Sequence, residues 1–174
     1  MARVLVAGGS GFIGRALVTD LLARGDQVTT LTRGESGVRD GQYFQHWDPS
    51  AASGVAFTGD YDAVVNLSGE SAVGVRYTAE AKERILKSRV DSTECLVRAI
   101  ARSEHKPPVF VCASGTGFYG STLSTARVDE RAPAGRDFLA QVCVVWEAAA
   151  RGAETSGLRV VRARIAPVLS ERGG

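Results

Sequence analysis

The chain has 174 residues, 44% hydrophobic and 23% charged, the balance of a globular domain rather than of a disordered chain, a collagen-like repeat or a coiled-coil array. Its 21 Lys and Arg against 19 Asp and Glu leave a formal charge of +2, too weak to imply nucleic acid or an anionic membrane as partner. No apolar run reaches the roughly 18 residues that a membrane span needs. Met1-Ala2-Arg3-Val4 enters an apolar stretch without a signal peptide's layout, and Cys95, Cys112 and Cys143 lie outside any metal-ligand spacing. A reduced, cytoplasmic protein with no metal site is expected.

Arg3 to Ala7 is a short apolar run that stops at Gly8-Gly9-Ser10-Gly11, the pattern of a buried strand ending in a glycine turn. Ile13, Leu17, Leu21 and Leu22 follow at helical spacing, with Gly25 placed to close the helix. Gln27 to Thr32 is rich in Val and Thr and reads as a second strand. Residues 34–41 are glycine-rich and polar, which predicts a loop, and Tyr43 to Trp47 predicts a third strand stopped by Asp48-Pro49. A fourth strand is expected over Asp62 to Leu67, ending at Ser68-Gly69.

Residues 78–103 carry Leu86, Val90, Thr93, Val97 and Ile100 at alternating spacings of four and three, opposite a face of Lys, Glu, Asp and Arg. This is a long amphipathic helix, ended by Pro107-Pro108. Strand Val109 to Ala113, helix Phe138 to Arg151 and strand Leu158 to Ile165 complete the chain. Strands alternating with helices predict one α/β domain over residues 1–174, a doubly wound parallel sheet (Rossmann fold) with helices on both faces.

The segment Gly8-Gly9-Ser10-Gly11-Phe12-Ile13-Gly14 fits a dinucleotide fingerprint in two registers, Gly8/Gly11/Gly14 or Gly9/Gly11/Gly14. Small residues let the backbone approach a pyrophosphate, whose charge rests on the N-terminus of the next helix. Gly8, Gly11, Phe12, Ile13 and Gly14 are therefore cofactor-binding candidates. At the end of the second strand an acid would hold the 2′-hydroxyl of NAD, whereas a cation accepts the 2′-phosphate of NADP. Thr32-Arg33 stands there, so NADP (NADPH) is expected ahead of NAD, although Arg33 as a solvated loop charge is the competing reading and Glu35 is close by.

The stretches VLVAGGSGFIGRALV (4–18), VVNLSGE (64–70), KERILKSRVDST (82–93), VFVCASGTGFYG (109–120) and FLAQVCVVWEAAA (138–150) together resemble the extended or atypical short-chain dehydrogenases/reductases. The resemblance is strongest to their epimerase-like subfamily, which includes proteins called nucleoside-diphosphate-sugar epimerases or cell-division-inhibitor-like. It implies that Asn66, Leu67 and Ser68 pass beside the cofactor, with a plain strand-end cap as the alternative for Asn66. It also implies that Ser114 hydrogen-bonds the substrate oxygen. The family's usual proton donor is a tyrosine paired with a lysine four residues on. Aligning the 138–150 helix puts Leu139 and Cys143 at those two places, which leaves Tyr119 as the nearby hydroxyl with suitable chemistry and a packed aromatic as its other reading.

Among Lys87, Ser88 and Arg89 a solvated helix face is expected, with Lys87 the first choice if one of them reaches a ligand. His46 and His105 read as surface or packing residues. By analogy with the family, the 78–103 and 138–150 helices would form a homodimer. Relatives continue past the sixth strand, so the resemblance implies that the substrate-covering C-terminal region is absent from residues 1–174 and that this chain binds cofactor without turnover. Three readings stand: an NADP-dependent epimerase-like oxidoreductase acting on a hydroxyl or carbonyl carbon of a small molecule or nucleotide sugar, a non-catalytic NADP-binding module, or an interaction subunit with a vestigial glycine loop.

Overall fold

The computed structural model describes residues 1–39, 41–51, 54–121 and 127–171; Asp40, at the end of the predicted loop, and Gly173-Gly174 lie outside them. Strands β1 (Arg3–Ala7), β2 (Gln27–Thr32), β3 (Gly37–Arg39), β4 (Gln42–His46), β5 (Ala63–Asn66), β6 (Val109–Gly115) and β7 (Arg159–Ile165) form one sheet. Helices α1 (Phe12–Ala23), α2 (Ala79–Arg102) and α3 (Phe138–Arg151) connect them. The order is β3-β4-β2-β1-β5-β6-β7, parallel throughout except for the β3–β4 pair. This is the expected doubly wound Rossmann sheet.

Side chains of β1 alternate between two cores because both faces of the strand are covered. Val4 and Val6 pack with Val18, Leu21 and Val28 under α1, whereas Leu5 and Ala7 join Leu31, Val64, Leu96, Ile100, Phe110 and Trp146 under α2 and α3. The chain leaves β1 for one side of the sheet and later passes to the other through β5. A crevice therefore opens beyond the carboxyl ends of β1 and β5, where the strand order reverses.

Two expectations need correction. Residues 34–41 are not all loop: Gly37–Arg39 pairs antiparallel with β4, with Arg39 opposite Gln42. Only Asp40 and Gly41 stand between that pair, Gly41 has φ +76°, and Asp-Gly is a two-residue hairpin signal. The second concerns α2. Its deepest residues are Ile85, Thr93, Cys95, Leu96 and Ile100, while Leu86, Val90 and Val97 of the predicted stripe are half-buried on its flank. Two neighbours share this helix, the sheet through Leu5, Val64 and Phe110 and the α3 region, so more than one stripe is covered. Gly25, at φ +83°, ends α1 as expected, its N–H donating to the Leu22 carbonyl.

Candidate functional site

The glycine turn after β1 is fixed by close backbone approach. Gly8 has φ +81°, and a Cβ on it would lie 2.6 Å from the Leu67 carbonyl carbon. A Cβ on Gly14 would lie 2.1 Å from the Gly8 carbonyl oxygen, and one on Gly9 would meet the Thr30 side chain at 2.8 Å. Gly11 N–H donates to the Gly8 oxygen at 3.0 Å. The working register is thus Gly8/Gly11/Gly14, and Gly9 is required for a separate reason, its contact with β2. Gly11 starts α1 with no side-chain cap, and the first turn holds no acid. Phe12 is half-buried and Ile13 exposed beside it. An uncapped helix start behind a cradle that side chains would fill suits a pyrophosphate.

Arg33 is exposed at the carboxyl end of β2 and has no hydrogen bond or ion pair to the described residues. Glu35 does not engage it; the main-chain oxygen of Glu35 accepts from Arg39 instead. Arg15, not singled out from sequence, lies on the first turn of α1 with Nη1 donating to the Ser10 carbonyl at 3.1 Å. Two cations therefore flank the glycine turn.

Beyond β5, Leu67 N–H extends the ladder to the Ala7 carbonyl, and the Leu67–Ser68 backbone closes against Gly8. Asn66 is fully buried. Its Nδ2 donates to Thr93 Oγ1 at 2.9 Å, and its Oδ1 accepts from the Ser68 amide at 3.1 Å and from the Ser68 hydroxyl. Thr93 Oγ1 also accepts from Trp146 Nε1 at 2.9 Å and donates to the Arg89 carbonyl at 2.7 Å. One hydroxyl thus joins β5, α2 and α3. Cys112 sits against this group, and burial pushes its thiol up to about 12. Asn66 shapes the turn from beneath, and Leu67 and Ser68 form its surface.

Beyond β6 the chain enters a 3₁₀ turn, Thr116–Tyr119. Ser114 is buried, and its Oγ donates to Glu147 Oε1 at 2.7 Å. Glu147, on the inward face of α3, is only 2% exposed and takes two bonds from Arg164 of β7, at 2.8 and 3.0 Å. Burial alone raises the Glu147 carboxyl, but bonds from Arg164 and Ser114 outweigh it and hold the group below the usual carboxylate range. Arg164 is pushed upward, chiefly by its bonds to Glu147. Its Nη1 also donates to the Tyr119 hydroxyl at 3.0 Å, and its guanidinium lies 3.4 Å over the Phe118 ring. An open cleft of about 820 Å³ borders Thr116, Tyr119, Glu130, Glu147 and Arg164.

Leu139 and Cys143 face the 115–117 turn: Cys143 Sγ contacts the Gly115 carbonyl at 3.7 Å, and burial pushes its thiol upward. Lys87 points away, paired with Asp91 at 2.6 Å, whereas Ser88 and Arg89 hold the two main-chain polar groups of Glu70. His46 and His105 are exposed at their surfaces, the latter beside Asp60. No helix among the described residues is long and apolar enough to cross a membrane.

The sequence profile of the NAD dependent epimerase/dehydratase family matches residues 4–173. The chain belongs to that family. This family member is 39% identical over 175 residues to the epimerase family protein SDR39U1 of Bos taurus, covering 99% of the chain and 56% of that relative. It therefore spans about half the length of the curated relatives it matches. The crystal structure of human SDR39U1 (isoform 2) with NADPH superposes with a TM-score of 0.84 at 38% identity, over 99% of this chain and 56% of that one. The nucleoside-diphosphate sugar epimerase of Corynebacterium glutamicum gives 0.82 at 36% identity, over 99% of this chain and 35% of that one. Glu147, Arg164 and Trp146 escaped the sequence reading, and Thr93 entered it only as part of the helical stripe of α2. The available signal was Glu147 itself, an acid seven residues on from Ala140 and four on from Cys143, on the face of α3 that should be apolar.

Proposed function

We propose that this chain is the NADP-binding part of an epimerase-like short-chain dehydrogenase/reductase, with a small molecule or nucleotide sugar reacting at a hydroxyl or carbonyl carbon. The carrying observation is the uncapped glycine cradle with Arg33 exposed at the end of β2 and bonded to none of the described residues. Gly8, Gly11, Phe12, Ile13 and Gly14 would hold the pyrophosphate, Arg33 the 2′-phosphate, and Leu67-Ser68 the far wall of the crevice. NADPH in the human relative's structure supports the same choice of cofactor.

When bound, the nicotinamide supplies or accepts the hydride. Ser114 spends its proton on Glu147, so toward a ligand it presents lone pairs only. Tyr119 accepts from Arg164, which leaves its own proton free to donate toward the neighbouring cleft. Arg164 also places a fixed positive charge where a phenolate would form. Tyr119 is thus the proton donor, supported by Arg164 and through it by Glu147. The second reading, a module that binds NADP without chemistry, draws on Leu139 and Cys143 at the family's Tyr and Lys places.

Calorimetry with NADPH and NADH tests the cofactor assignment. A charge-assisted contact to the 2′-phosphate contributes about 1.5–3 kcal/mol. NADPH should bind more tightly than NADH, and Arg33→Asp should erase or invert the preference; equal affinities in the unmodified chain would sink it. NADPH oxidation against aldehydes, ketones and nucleotide sugars separates enzyme from module, with Tyr119→Phe losing about 10²–10⁴-fold in rate if it donates the proton. Self-association through α2 and α3 belongs to the same proposal, since Val144 and Val145 are 41% and 42% exposed on α3; sedimentation of the chain reports it.

A further inference from the structure

Arg89 is a half-buried cation with no carboxylate partner among the described residues. It projects from the middle of α2 into the space between the 68–70 turn and α3. Its Nη1 donates to the Glu70 and Ile85 carbonyls, both at 2.9 Å, and its Cζ lies over the Trp146 ring, 5.1 Å from the centroid. Gly69 is shaped around it: a Cβ there would lie 3.1–3.3 Å from Arg89 Cγ, Cζ and Nη1. Glu70, the nearest acid along the chain, gives its carboxylate to Arg84 at 3.2 Å. Burial shifts the guanidinium downward, as expected for a charge drawn partly out of water, and an arginine side chain stays protonated in a protein.

Three contacts fix the Nη1 edge and the ring face, while Nε and Nη2 bond to no described residue and neither is sealed from solvent. Those two N–H groups form one parallel fork, the edge of a guanidinium that matches a planar carboxylate. The location is one step from the glycine turn: Gly8 packs on Leu67 and Ser68, and the next two residues pack on Arg89. Cys143, one turn before Trp146's neighbour Glu147, brings the 115–117 turn to the same end of the sheet.

The geometry points to Arg89 as a carboxylate-binding subsite, so that the ligand sharing the crevice with the dinucleotide is an acid. This rests on the placement of the cofactor proposed above but not on its chemistry. A single two-donor edge favours carboxylate over phosphate, which ordinarily gathers more donors. Lys87, two residues earlier on the helix, is engaged with Asp91.

Trp146 provides the reporter, because the chain has two tryptophans and Trp47→Phe leaves Trp146 alone. In that background, acetate titrated against chloride at constant ionic strength should change the emission saturably, with a Kd on the order of 10 mM. Neutral acetamide should not. Arg89→Lys keeps the charge but loses the fork, and should weaken acetate about tenfold while the melting curve stays cooperative. If Trp47→Phe unfolds the core, the Arg89 Nε–H resonance of the unmodified chain, assigned by its loss in Arg89→Lys, gives the same titration. No saturable response, an unchanged response in Arg89→Lys, or tighter binding of inorganic phosphate than of acetate each overturns the assignment. Calorimetry with NADPH on the unmodified chain is read separately, so an acetate response without NADPH binding removes the cofactor reading and leaves this one standing.

Discussion

The two halves of the crevice are made of different materials. On the β1 side the walls are main chain: Gly8, Gly9 and Gly14 sit where a Cβ would strike backbone or a neighbouring strand, and α1 begins without a side-chain cap. On the β6 side the walls are side chains bonded across long sequence separations. Ser114, Glu147, Arg164 and Tyr119 form one group, and Asn66, Thr93 and Trp146 another. A backbone wall tolerates loss of nearby side chains but not added atoms. A side-chain wall has the reverse sensitivity, because removing one partner strands the others.

The largest expected effect comes from Glu147→Ala. Arg164 and Ser114 would lose their acceptor inside the structure, and breaking a buried pair costs about 3–5 kcal/mol. Urea unfolding measures it; a loss under about 1 kcal/mol would mean that water replaces the carboxylate and that the β6 side is not the side-chain wall described. Glu147→Gln, which still accepts, should lose less.

Gly14→Ala comes next and probes the opposite wall. Its Cβ would meet the Gly8 carbonyl at 2.1 Å, so the turn and α1 must part, at about 2–3 kcal/mol, with NADPH binding weakened by more than about tenfold. Stability and affinity both unchanged would show that the turn has slack.

The pH dependence sharpens the picture of the β6 side. Glu147 is held below the ordinary carboxylate value of about 4.3, so its contribution is present in full above that value and is lost as pH falls through its lowered one. The stability gap between the unmodified chain and Glu147→Gln should therefore be constant from pH 5 to 7 and shrink below about pH 4. A gap that widens on acidification would reverse the assigned direction.

Arg15→Ala is the smallest. Among the described residues its side chain makes one bond, to the Ser10 carbonyl, and that bond is exposed, so folding stability should move by less than about 1 kcal/mol and NADPH affinity by only a few-fold. Chemical denaturation and calorimetry on the same variant check both. A larger loss of stability would give the β1 wall a side-chain strut it is not described as having.

The amino-acid sequence by itself determined the parts whose cause is local. Glycine spacing after an apolar run, Gly25 at a helix end and the apolar strands of the parallel sheet each act within a few residues. The cradle, the cation at the end of β2 and the doubly wound order were therefore legible. The short strand β3 was missed although its signal, Asp40-Gly41, is equally local. Tertiary structure alone decided the rest. Glu147 meets Ser114 across 33 residues and Arg164 across 17, and Asn66 is joined to Trp146 through Thr93. Nothing at any one of those positions names its partner. Lys87 and Arg89 make the same point on one helix: two residues apart, they differ by roughly 200° around the axis. One pairs with Asp91 in solvent, and the other lies over Trp146 at the crevice. A charge on an amphipathic helix becomes a site only when its azimuth meets a neighbouring element, and that angle is set by packing.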